Sequence, residues 1–248
     1  MTAGARATLS VSQAVRAGLD HPVIDSDGHF VELGPVFLDY LKDVGGASLV
    51  ERYLGLIGGF FTWYTMSHEE RRAKRAHRPP WWFLPAANTL DRATAMLPRL
   101  MRERLDEFGI DFAVLYTTEG LAFHNLADPE LRRATARAMN RMIAELYRPH
   151  ADRMTPAALI PMHTPEEAID ELEFVVNELG LKAIMICGSI RRPLPDGKYW
   201  IDNLALDSAH DYDPFWRRCV ELKVAPTDHS SSMGWINRAS VSNYNVIK

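Results

Sequence analysis

Downstream of residue 96 the chain alternates two apolar patterns. Leu97, Leu100, Met101, Leu105 and Phe108 recur at helical spacing, and Gly109 follows as a helix C-cap would. Residues 110–117 then form a short apolar run that predicts a strand. Asp128 and Pro129 supply an N-cap and a first-turn proline for a helix with the stripe Leu131, Ala134, Ala138, Met142 and Leu146, ended by Pro149. Residues 157–162 predict a third strand. Thr164, Pro165 and Glu167 have capping-box spacing and open a helix presenting Ile169, Leu172, Val175, Val176 and Leu179 as far as Gly180. Residues 181–187 predict a fourth strand. Asp213 and Pro214 open a helix carrying Phe215, Trp216, Cys219, Val220 and Leu222, and residues 224–228 predict a fifth strand.

Upstream, residues 23–29 read as the first strand, entered from a short polar leader. Residues 31–95 hold glycine pairs, Pro79-Pro80 and Trp81-Trp82 without a sustained period, which predicts a long insertion serving as a lid or cap. Strands alternating with amphipathic helices imply right-handed crossovers and a parallel sheet, either an open doubly wound sheet or a closed barrel. No Gly-rich phosphate loop follows the first strand, which counts against a dinucleotide-binding sheet. The expectation is therefore one α/β domain over residues 1–248, a TIM-type (β/α)8 barrel broken off after about five βα units, because a whole barrel takes eight units and the insertion uses up the length. A fifth strand lacking its next neighbour is an edge that favours pairing, so a homo-oligomer is compatible with this pattern.

Composition narrows the function more than the fold. The 248 residues are 47% hydrophobic and 24% charged with a formal net charge of -4, ordinary for a globular domain and without overall attraction to nucleic acid or an anionic membrane. The basic run from Arg71 to Arg78 reads as a solvated helix face. Cys187 and Cys219 lack metal-motif spacing and read as buried thiols. There is no signal-peptide pattern, and the apolar run at 53–61 is too short for a bilayer and broken by glycines. A cytoplasmic protein without nucleic-acid or membrane partners is expected, acting on a small molecule.

The candidate chemistry begins at Asp27 and His29. Strand side chains alternate faces, so these two point the same way across Gly28, their Cα atoms roughly 6–7 Å apart, close enough to converge on one ion. On its own this pair reads first as an Asp capping a turn beside an ordinary strand-end histidine. His229 ends the fifth strand, at the rim where barrel enzymes keep their catalytic groups, and on its own reads first as a hydrogen-bonded structural residue. Glu119 and His124 follow the second strand and are candidates to line the mouth and touch substrate. His163 reads as structural, His68 and His77 as solvent-facing, and Trp81 and Trp82 as packing of the insertion or as an aromatic wall for a planar substrate.

These residues carry a family resemblance. Ile24-Asp25-Ser26-Asp27-Gly28-His29 resembles the opening I-D-x-H-x-H motif of the amidohydrolase superfamily, with Asp27 in place of the first histidine. The stretch from Arg104 through Asp106, Gly109, Ile110 and Asp111 to Leu115 is similar to its R-x-x-x-M-D-x-x-G-I-D-x-x-V-L segment. Tyr212-Asp213-Pro214-Phe215-Trp216, the strand after it and His229 resemble its D-P helix and strand-five histidine. The branch it looks most like holds the aminocarboxymuconate-semialdehyde decarboxylase-like enzymes. The resemblance implies Asp27, His29 and His229 as ligands of a divalent metal, Zn²⁺ or Mn²⁺, with Asp27 tilting preference toward the harder ions. It implies hydrolysis or non-oxidative decarboxylation of a small carboxylate-bearing substrate, aromatic ones included. The family pattern continues with a histidine on a sixth strand and an aspartate on an eighth, which these 248 residues do not show. A catalytically inactive fragment or an interaction protein is the alternative.

Overall fold

The computed structural model describes residues 9–61, 66–75, 88–204 and 208–229. Strands β1 (Ile24–His29), β2 (Phe112–Tyr116) and β3 (Met154–Pro156) form one parallel sheet in that order. Strands β4 (Ala158–Leu159), β5 (Ala183–Ile186) and β8 (Ala225–Asp228) form a second, also parallel. Only Ala157 separates β3 from β4, and its N–H reaches Leu115 O at 2.9 Å, so the two act as one strand position. The described residues thus carry five parallel strand positions in chain order, the α/β arrangement expected from alternating strands and helices.

The third position begins earlier than the apolar run at 157–162 suggests. It starts at Met154, and pairing runs out after the Ile160 N–H, which reaches Met185 O at 2.9 Å. Pro161 has no N–H with which to continue. Buried Asn140 fixes the break: its amide donates to Leu159 O and accepts from Leu159 N, both at 2.8 Å.

Helix α1 (Val11–Ala17) replaces the expected polar leader, closed by a capping box between Ser10 and Gln13. The described part of residues 31–95 is more regular than its sequence suggests. Helix α2 (Gly34–Phe61) is kinked at Gly46, where φ is 78°, a left-handed value suited to glycine. The kink puts the two halves out of phase, so Phe37 and Leu41 on one side and Leu49 and Tyr53 on the other reach the core without one continuous period. Helices α3 (His68–Ala73) and α4 (Thr89–Met96) follow, with His68 exposed as expected. Arg71 and Arg72 lie in α3; His77, Arg78, Trp81 and Trp82 lie outside the described residues.

Helix α5 (Pro98–Phe108) ends at Gly109 with φ 71°, as its C-cap glycine predicts, burying Met101 and Leu105 and leaving Phe108 partly exposed. Helix α6 (Pro129–Tyr147) opens on Asp128, whose carboxylate accepts from Glu130 N and Leu131 N. Helix α7 (Pro165–Glu173) keeps only half of the expected capping box. Thr164 accepts from Glu167 N, but the Glu167 carboxylate instead takes two bonds from Arg132, at 2.8 and 2.9 Å. Between β5 and helix α8 (Asp213–Leu222) stands an antiparallel pair not expected from the sequence, β6 (Ile190–Pro193) with β7 (Tyr199–Asp202). Val220 on α8 is 76% exposed and does not share the buried stripe of Phe215 and Cys219. Cys187 and Cys219 are buried free thiols, as expected.

Two apolar cores flank the strands. One joins Phe37, Leu41, Tyr53, Leu115, Leu131, Met139 and Ile143, from β2, α2 and α6. The other joins Ile160, Leu172, Val175, Ile184 and Phe215, from β5, α7, α8 and the segments beside them. At about 1.5–3 kcal/mol per fully buried large side chain, these cores fix where the strand ends lie. Among the described residues no helix is long and apolar enough to cross a membrane.

Candidate metal centre

Asp27 and His29 reach the site from an irregular strand. Between Asp25 and Gly28 the register of β1 against β2 slips by one residue, a bulge that re-aims side chains at a strand end. Asp25 stabilises it by accepting from Asp27 N at 3.1 Å. Gly28 is required here: a Cβ would sit 2.8 Å from Leu115 Cδ2 and 3.1 Å from Val114 O. The face of the strand opposite Asp27 and His29 is therefore crowded at Gly28, where only a hydrogen fits. His229 follows β8, held by a bond from its N–H to Ile186 O at 3.1 Å.

Three donor atoms from opposite ends of the chain converge. His229 Nε2 lies 3.0 Å from Asp27 Oδ1 and 3.1 Å from His29 Nε2, and His29 Nε2 lies 3.9 Å from Asp27 Oδ1. Two ligands about 2.1 Å from one ion at angles of about 90–110° stand roughly 3.0–3.4 Å apart, so the shorter separations suit a shared cation. Proton counting agrees. His229 Nε2 carries at most one hydrogen, yet it faces both a carboxylate oxygen and a second imidazole nitrogen. Hydrogen bonding leaves one of these contacts badly served, whereas one cation satisfies all three lone pairs. Among the described residues this is the one cluster of three or more such donors with mutually close ligand atoms.

The local electrostatics keep the imidazole available. Burial, and then the neighbouring His229, hold His29 below the usual histidine range, while Asp27 and a hydrogen bond with the Thr117 backbone pull the other way. Neutral imidazole is the form that binds metal. Asp27 is the open side of the cluster, with its side chain 75% exposed against 18% for His229.

The other candidates separate. His124, in a 3-10 turn at Gly120–Asn125, is 2% exposed and within electrostatic reach of His229, and burial pushes it down to about 4. His163 is pushed down to about 3 by burial and by Arg132 and Arg192. Its carbonyl accepts from Arg192 at 2.6 Å, in a network with Asp202, Tyr212 and Met162 that fastens the β6–β7 pair. Glu119 is not part of the donor cluster. Its carboxyl meets the Tyr53 hydroxyl of α2 at 3.3 Å, and burial followed by the charge of Glu32 pushes it up to about 7.

Sequence reasoning passed over two residues here. Glu32, 3% exposed, accepts from the backbone of Thr118 and Glu119 at 2.9 and 3.0 Å and from the Thr117 hydroxyl, so it shapes the turn after β2. Its signal was a lone acid in an apolar setting just past β1. Tyr116 packs on both histidine rings, with centroids 4.8 Å from His229 and 5.9 Å from His29. In the sequence it is simply the last aromatic of an apolar strand.

Comparison with known proteins places the chain. Gamma-resorcylate decarboxylase of Polaromonas sp. (strain JS666 / ATCC BAA-500) is 32% identical over 120 residues, which are 48% of this chain and 35% of that protein. Among solved structures, 2,6-dihydroxybenzoate decarboxylase from Rhizobium aligns at 20% identity with a TM-score of 0.48, covering 84% of this chain and 50% of the other. The 5-carboxyvanillate decarboxylase from Novosphingobium aromaticivorans, complexed with manganese and 4-hydroxy-3-methoxy-5-nitrobenzoic acid, aligns at 21% identity with a TM-score of 0.49, covering 87% and 53%. The chain thus spans about a third of the curated relative's length (35%) and about half of these solved chains (50% and 53%). The family model described as amidohydrolase matches residues 24–238, from β1 past His229, and the chain belongs to that family.

Proposed function

We propose that this chain is a metal-dependent non-oxidative decarboxylase acting on a small hydroxylated aromatic carboxylate. The observation that carries the reading is the convergence of Asp27, His29 and His229 from strands some 200 positions apart in sequence. The match to a gamma-resorcylate decarboxylase supports the substrate class. Such a domain is read as a barrel of the (β/α)8 type.

A divalent ion held there supplies a Lewis acid for a substrate oxygen, and the oxygen-and-imidazole donor set favours Mn²⁺ or Zn²⁺. The chain's own residues do the rest. Asp27 and the two imidazoles fix where the substrate's carboxylate or adjacent hydroxyl rests. The bond between ring carbon and carboxylate then breaks, its electron pair stays on the ring carbon, CO₂ leaves, and that carbon takes its proton from solvent water. His124, buried and neutral beside His229, lines the substrate's side of the site as a hydrogen-bonding wall. Glu119 serves instead to fasten α2 through Tyr53.

The test is turnover. With Mn²⁺ added, the 248-residue chain should convert gamma-resorcylate or a related hydroxybenzoate to the phenol and CO₂, followed by loss of ultraviolet absorbance. His29→Ala should abolish it. Metal binding without turnover on any hydroxybenzoate would favour the alternative of a non-catalytic chain.

A further inference from the structure

We infer that Tyr116 is a positioning residue of the metal centre: its ring seats both imidazoles, and its hydroxyl, through Thr227, fixes β8 against β1 and β2. This rests on the metal reading above and adds a residue to it.

Tyr116 stands directly beside His29 in the β1–β2 register. Register partners on adjacent strands share a face, so both side chains project together. Tyr116 is 4% exposed, and its ring lies 4.8 Å from His229 and 5.9 Å from His29, while the two imidazoles lie 4.9 Å apart. The three rings form a closed triangle built from β1, β2 and the end of β8.

The hydroxyl adds a directional tie. Tyr116 Oη donates to Thr227 Oγ1 at 3.1 Å, and Thr227 Oγ1 donates to Ile184 O at 2.7 Å. Because the Thr227 proton is spent on the Ile184 carbonyl, its lone pair is what faces Tyr116, and the order of donors is set. Thr227 lies in β8 and His229 directly follows that strand, two positions on in the same alternation. One hydrogen bond and one ring contact therefore hold the same short segment from the same tyrosine. A phenylalanine supplies only the second. Tyr116 donates no lone pair to the cluster and shapes metal binding through the histidines.

The experiment is a Co²⁺ titration of the full 248-residue chain, read by the visible d–d band, alongside melting of the metal-free protein. Tyr116→Phe and Thr227→Val each break the same hydrogen bond, so each should weaken Co²⁺ binding by about 3- to 10-fold. Thr227→Val also removes the bond to Ile184 O, so the double variant should be no weaker than Thr227→Val alone. Tyr116→Leu also removes the ring and should cost about 10- to 100-fold with a changed band shape, as loss of a group that orients a ligand does. Wild-type affinity in both single variants, whatever their melting temperatures, would overturn the inference, as would losses in the double variant that multiply. These readings do not depend on whether Tyr116→Leu folds. A wild-type chain that binds no Co²⁺ would remove the centre itself, a failure distinct from variants that bind as wild type does.

Discussion

Glu119→Gln separates a structural carboxyl from a substrate contact, and its effect can be worked out in advance. The Glu119 side chain is largely buried between β2 and α2, bonded to the Tyr53 hydroxyl and close to the Glu32 carboxylate. An unfolded chain ionises this group near the ordinary 4.5, whereas the native chain keeps its proton up to about 7, first because of burial and then because of Glu32. Between those values the native state binds more protons than the unfolded state, so stability falls as pH rises. The stabilisation is complete below the unfolded value and is lost as pH climbs through about 7. At about 1.4 kcal/mol per unit, the loss between pH 5 and pH 8 amounts to about 2–3 kcal/mol. Glutamine is neutral throughout and still accepts from Tyr53, so the variant should lack this component. Urea unfolding of the metal-free chain, followed by tryptophan fluorescence across that range, gives the comparison. The difference between variant and wild type should grow in the variant's favour toward alkaline pH. A pH-independent difference would refute the structural role, and a raised KM with unchanged pH dependence would return Glu119 to the substrate.

Other perturbations test the frame around the site. Gly28→Ala places a Cβ against Val114 O and Leu115 and should cost about 1–3 kcal/mol in urea unfolding while lowering metal affinity, because the bulge must shift. Arg132 and Glu167 have side chains only 5% exposed each, so Arg132→Met should destabilise by about 3–5 kcal/mol and a further Glu167→Gln should recover part of it. Phe37→Ala opens the core between α2 and α6 and should cost about 3–5 kcal/mol by thermal or urea unfolding.

Much of the fold was legible because local signals and burial agree. Asp128 with Pro129, Gly109, and the stripe from Leu131 to Met142 all specify their elements through backbone chemistry and period. Asp27, His29 and His229 stand out in the sequence as candidates because they are polar residues at strand ends where apolar ones would serve packing, and the structure brings their donor atoms together. What escaped depends on contacts between distant segments. The kink at Gly46 hides the helical period of α2. The β1 bulge depends on how Gly28 meets Leu115 and Val114. The β6–β7 pair did carry a signal, the turn sequence Pro195-Asp196-Gly197, with Gly197 at φ 77°. Tyr116 carried none, because only the fold shows that an aromatic on β2 faces a histidine more than 100 residues away.

The central claim is that Asp27, His29 and His229 hold one ion together. Elemental analysis of the chain, purified, supplied with Mn²⁺ and dialysed, measures this most directly beside Asp27→Ala and His229→Ala. The expected result is close to one divalent ion per wild-type chain and nearly none in either variant. Equal metal content in all three would contradict it.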